Sequence, residues 1–218
     1  MKLNYLAYPV LIFFLLLFAH DKQTGFFIFT SIILFITLIY HLSCNNYTPD
    51  KVILIAILTA MACVGRVLFS FLPSIQLASF IIILSGIVFG PSIAFVVGIL
   101  TPIMSNFFQG QGLWTIWQMF GFGLMGLFSG WMSKSLKQNK IWRTCFGMIA
   151  GIIFGWIMNL MTVIYVGGGN FNFANIITIY TASLLFDVLH GITNALLLFM
   201  VGDVCIEKFE MLKSKIQL

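Results

Sequence analysis

The 67 residues from Val67 to Ser133 contain no Lys, Arg, Asp or Glu. No soluble domain can leave so long a run without a charge, because about a quarter of a soluble chain is charged and those groups cover its surface. Here the whole chain of 218 residues is 8% charged, with mean hydropathy +1.07. The solvent for most of the surface is therefore lipid. The expected class is an all-α, polytopic membrane helix bundle, since helices satisfy their own backbone hydrogen bonds in a bilayer.

A bilayer core takes about 20 helical residues. Eight apolar segments fit, at roughly 3–19, 25–42, 51–72, 75–90, 91–106, 117–133, 144–166 and 175–203. Gly90-Pro91 divides the fourth from the fifth, because proline breaks a helix within its own turn. The first pair reads as a retained N-terminal transmembrane hairpin, residues 1–45, rather than a cleaved signal. Residues 46–206 form a six-helix core, and 207–218 a basic tail.

Counting charges by loop orients the chain. Lys134, Lys137, Lys140, Arg143, Lys208, Lys213 and Lys215 join Lys2 and Lys51 on one side. That side is expected to be cytoplasmic, with both termini. The net charge of +5 is thus a topology signal and not a nucleic-acid footprint. The opposite side receives Leu72–Ser74, "FFQGQGLWTIW" and "VGGGNFNF", all uncharged.

The stretch Ser105–Met119, "SNFFQGQGLWTIWQM", gathers amides, indoles and glycines at that neutral side. Asn106, Gln109, Gln111 and Gln118 donate and accept without charge, and Trp114 and Trp117 offer flat apolar rings. Such a set suits a neutral or zwitterionic organic solute. The plainer alternative is an interfacial aromatic belt. Trp114 and Trp117 share a face if the following helix starts early.

Ionisable groups inside spans are costly and mark cavities or pairs. Arg66 lies in the third span, and Asp187 and His190 in the last. Asn194 follows on the same helical face, and Asn159 adds an amide from another span. These residues read as a polar lining to a substrate pocket. The alternatives are a structural Arg66–Asp187 pair and a proton relay through Asp187 and His190.

Small residues four apart recur: Ala56 and Ala60; Gly86 and Gly90; Gly126 and Gly130; Gly147, Gly151 and Gly155. Such stripes let helices approach closely in lipid. Most are expected to serve internal packing, and one to dock a partner. No phosphate loop, HExxH, GxSxG or acidic metal cluster occurs, so neither enzyme, cofactor nor metal is expected.

The runs "VGRVLF", "LSGIVFGPSIAFVVGILTPIMSNFFQGQGLWTIWQMFGFGLMGLFSG" and "FDVLHGITNALL" resemble the S components of energy-coupling-factor (ECF) vitamin transporters, over about residues 51–203. Ile116 stands where that pattern expects proline, and residues 1–45 lie outside its six-helix core. The resemblance implies capture of a vitamin or precursor by loops at the outer face. It also implies association with a transmembrane coupling subunit and two ATPases, docked through an AxxxA stripe that corresponds to Ala56 and Ala60. The "GQGxWTxWQM" flavour is most similar to cobalamin-type members. A standalone proton-coupled transporter, or a membrane protein outside transport, is the alternative function.

Overall fold

The computed structural model describes residues 48–165 and 172–216. The expected N-terminal hairpin and most of the "VGGGNFNF" loop lie outside the described residues. Among the described residues eight helices run in order: α1 (Pro49–Leu68), α2 (Ala78–Phe89), α3 (Pro91–Gln109), α4 (Trp114–Trp131), α5 (Ser133–Gln138), α6 (Lys140–Tyr165), α7 (Phe173–Met200) and α8 (Gly202–Lys215). There is no strand among the described residues, and the chain is a polytopic helical membrane bundle.

α1, α3, α6 and α7 are each long and apolar enough to cross a bilayer. α2 is not. Its 12 residues rise about 18 Å, against a hydrocarbon core of about 30 Å. Every α2 residue but Phe89 is buried, so its neighbours and not lipid surround it. α1, α3, α4, α7 and α8 all pack on α2. α4 carries no charge, and its four glycines are set against neighbouring helices.

Glycines set how closely the helices pass. Gly98 lies against the backbone of Phe122 and Gly123, Gly126 against Ala94, and Gly130 against Pro91. The partner number falls as the glycine number rises, so α3 and α4 are antiparallel at a spacing no side chain would permit. α6 and α7 repeat the device: Gly147 faces Asn194 and Leu198, Gly151 faces Gly191, and Gly155 faces Asp187. The hinge between α2 and α3 is Gly90, whose φ of +92° suits glycine alone.

Three expectations shift. α1 ends at Leu68, four residues early, and successive turns carry the chain through Pro73 to Ile75. The last span also ends early, at Met200. The chain bends at Val201, and Gly202 leaves room for the Arg143 side chain to lie against it. Third, the basic tail is helical. Within α8, Lys213 donates to the carbonyl of Val88 at 2.7 Å, capping α2, and Phe209 meets Phe89 with ring centroids 5.6 Å apart.

Candidate functional site

The bundle has a basic end and a neutral end. At the basic end, Arg143 of α6 is buried and donates to the Asp203 carboxylate and to the carbonyl of Leu136. Lys137 pairs with Glu210 at 2.7 Å. The Arg143 hydrogen bond is the main force holding the Asp203 carboxyl below its ordinary range. Slight burial works against it, and the charges of Arg143 and Lys140 add to it.

At the neutral end α1 and α3 finish and α4 begins. Arg66, in the last turn of α1, is only 7% exposed. Its Nε donates to Gln76 Oε1 at 3.2 Å, and its Nη1 donates to Ser105 Oγ at 2.5 Å and Asn106 Oδ1 at 2.8 Å. Asn106 passes the network on, donating to Thr115 Oγ1 and Gln118 Oε1, both at 2.8 Å. Gln109 donates to the Arg66 carbonyl at 3.2 Å, and Gln111 to the Ile103 carbonyl at 2.8 Å. Thr115 donates to Gln111 Oε1 at 3.0 Å, closing the loop between α3 and α4. Gly110, with φ of +98°, makes that turn.

The structure thus joins Arg66, Asn106, Gln109, Gln111 and Gln118 in one network. Its remaining members, Gln76, Ser105 and Thr115, were not singled out from sequence. Small hydroxyls in apolar helices look like ordinary packing residues. Only the contact with Arg66 reveals Ser105.

The two indoles part company. α4 does begin early, at Trp114, yet Trp114 is 41% exposed and Trp117 is fully buried. The Trp114 ring lies over Gly112, where a Cβ would sit 2.3 Å from the ring. Trp117 points into the core.

The deeper polar residues form separate groups. Asn159 donates to Asp187 Oδ2 at 2.9 Å, and Ser183 donates to the same oxygen at 3.1 Å. The Asp187 carboxylate therefore does not pair with Arg66, which corrects the structural-pair alternative. His190 Nε2 meets Ser79 Oγ at 2.6 Å on α2, and its ring stands edge-on to Phe154. Phe154 stacks on Phe122 at 4.3 Å, and the Arg66 guanidinium lies over Phe122 at 5.7 Å. Aromatic rings thus bridge the two polar layers. Asn194 is fully buried with no partner for its amide among the described residues.

An apolar groove of about 300 Å³ opens between α4 and α6, lined by residues such as Phe128, Trp142 and Phe146. It lies toward the basic end and includes none of the polar network. A seam without hydrogen-bonding groups suits lipid tails better than a polar solute. Ala56 and Ala60 sit on the outward face of α1, exposed beside Ile53, Ile57 and Val64. No His, Cys, Asp and Glu grouping among the described residues could hold a metal.

The model of one protein family, described as the substrate-specific component of ECF transporters, matches residues 50–202. No curated protein and no solved structure matches the chain. The family match runs from the first turn of α1 to the start of α8 and contains the whole Arg66 network. This multi-pass membrane chain therefore belongs to the ECF transporter substrate-specific components.

Proposed function

We infer that the neutral end faces outward and captures a vitamin or vitamin precursor, with cobalamin the best-supported candidate. The observation that carries this reading is the Arg66–Asn106–Gln118 network, which converges from α1, α3 and α4 beneath uncharged loops. Asn106, Gln109, Gln111, Trp114 and Gln118 supply the wall and gate. Asn159, Asp187, His190 and Asn194 form the deeper polar layer, with Trp117 packed in the core between helices. A bulky, amide-rich corrinoid matches amide-rich loops, because each amide on either side both donates and accepts.

Delivery inward is assigned to a transmembrane coupling subunit and two ATPases, as the family implies, and the missing phosphate loop fits this division of labour. The basic end, which holds Arg143 and the lysines of α5, α6 and α8, faces the cytoplasm.

Uptake of labelled cobalamin into proteoliposomes tests the reading. ATP-dependent uptake that needs the coupling subunit and ATPases, and that survives collapse of the proton gradient, is expected. Gradient-driven uptake by this chain alone would replace the reading with a proton-coupled carrier using Asp187 and His190. A chemically altered ligand in the mass spectrum would indicate an enzyme.

A further inference from the structure

Arg66 is a buried cation whose hydrogen-bond partners are all neutral. Gln76, Ser105 and Asn106 take its hydrogen bonds, and no carboxylate among the described residues lies within ion-pair distance of it. The buried acid nearest to hand in sequence logic, Asp187, is held by Asn159 and Ser183 instead. The other buried arginine, Arg143, does have its carboxylate, Asp203. One bundle thus compensates one buried guanidinium and leaves the other uncompensated.

The donor count sharpens the contrast. A guanidinium carries five N–H donors in a planar fork. The bond to Gln76 uses Nε, and those to Ser105 and Asn106 use both hydrogens of Nη1. Nη2 has no hydrogen-bond partner among the described residues. It is also absent from the unpartnered polar atoms that are sealed from solvent. Two coplanar donors therefore remain reachable, while the rest of the group is locked by three bonds and the Phe122 ring.

A structural account exists: the C-terminal carbonyls of α1 favour a cation in the last turn. A helix end supplies about half an elementary charge, which offsets part of a full buried charge and uses neither Nη2 hydrogen. Buried charges are otherwise paired, because desolvation without a counter-charge is costly.

We propose that the substrate carries an anionic oxygen group, a carboxylate or a phosphate, that completes the Arg66 fork through Nη2. The uncharged loops then hold a neutral remainder. This rests on the reading of the neutral end as the substrate site, and it replaces a neutral or zwitterionic solute with one bearing a defined anionic handle.

The test uses the purified full chain in nanodiscs and solute pairs that differ in the anionic group. These are cobalamin and cobinamide (which lacks the nucleotide phosphodiester), pantothenate and panthenol, and nicotinate and nicotinamide. Dissociation constants are read by calorimetry. For the pair that binds, the acidic member is expected to bind wild type at least about tenfold more tightly. Arg66→Gln should erase that preference, lowering the acidic member's affinity at least about tenfold more than the neutral member's. Arg66→Lys, which keeps charge but loses the fork, should fall between. Equal wild-type affinity for both members of a pair overturns the proposal without reference to any variant. So does unchanged affinity of Arg66→Gln for the acidic member.

If no pair binds, native mass spectrometry of protein equilibrated with a low-molecular-weight cell extract decides. A retained species with a carboxylate or phosphate supports the proposal, and one without either overturns it. Retention of nothing at all defeats the capture reading itself and the proposal with it. Intact binding without charge preference defeats the proposal alone.

Discussion

At the scale of single residues, the two indoles three positions apart separate two kinds of consequence. Trp114 is half-open over Gly112, and Gln118 is half-buried as an acceptor for Asn106. Losing one stack or one well-made hydrogen bond costs about 1–3 kcal/mol, which is roughly ten- to hundredfold in affinity. Trp114→Ala is therefore expected to weaken ligand binding in calorimetric titration while keeping the melting temperature near wild type, and Gln118→Ala, which also removes an acceptor from buried Asn106, to weaken binding with a modest fall in melting temperature. Trp117→Ala should do the opposite. Truncating a fully buried tryptophan costs about 3–5 kcal/mol of stability, so its melting temperature should drop first. The amides of this stretch were legible in the sequence as a hydrogen-bonding cluster. The split between the indoles was not, because it depends on where α4 starts and which neighbours cover each ring. Ser105 was invisible for a related reason: nothing local marks a hydroxyl that meets an arginine 39 positions away.

At the scale of elements, the bundle is set by what glycine leaves out. The stripes Gly126/Gly130 and Gly147/Gly151/Gly155 were readable as close-packing faces, and each meets the backbone or a polar group of a neighbouring helix. Their partners were not readable, since a stripe gives a face and no address. Gly98→Ala would place a Cβ 2.4 Å from the carbonyl oxygen of Phe122. Helices α3 and α4 must then separate, and overpacking of this kind costs about 1–3 kcal/mol. A lower melting temperature is expected, together with weaker ligand binding, because the Asn106–Gln118 bond spans the same pair of helices. At the other end, α8 is held by charge. The Asp203 carboxyl is held below its ordinary value chiefly by the Arg143 hydrogen bond. A depressed folded value means that the contribution is complete above the ordinary carboxylate range, near pH 4, and is lost as pH falls through the folded value beneath it. α8 amides should thus keep at pH 5 the protection factors they have at pH 7, and lose protection in stronger acid. Asp203→Asn should lose that protection already at neutral pH. Because Asp203 is largely exposed, the effect is expected on α8 and not on the whole bundle.

At the scale of the whole molecule, the distribution of charge and of small residues divides the surface by task. The segregation of basic residues to one end was plain in the sequence, and the structure ties that end together through α5, α6 and α8. Less legible was the character of α2, which reads as a span and is a short helix enclosed by others. Periodicity cannot distinguish burial in protein from burial in lipid when every residue is apolar. The same limit kept the residue pattern alone from ranking the four small-residue stripes, although the family resemblance singled out Ala56 and Ala60. The helical glycines of the stripes are covered from within the bundle and Gly90 is the α2–α3 hinge, whereas Ala56 and Ala60 remain exposed on α1 among Ile53, Ile57 and Val64. An uncovered small-residue face in lipid gains most from a second helix, because close backbone approach is the main attraction between helices there. We therefore assign this face to the coupling subunit, and two substitutions two positions apart, on opposite sides of α1, test the assignment. Ala60→Trp adds bulk outward, away from the buried Leu58, Ala62 and Arg66 side of α1. It should abolish co-purification with the coupling subunit and ATP-driven uptake, while ligand affinity and melting temperature stay at wild-type values. Ala62→Trp forces the same ring into a fully buried position and should lower stability and ligand binding together. If Ala60→Trp still recovers the coupling subunit at wild-type yield, the docking surface lies on another helix.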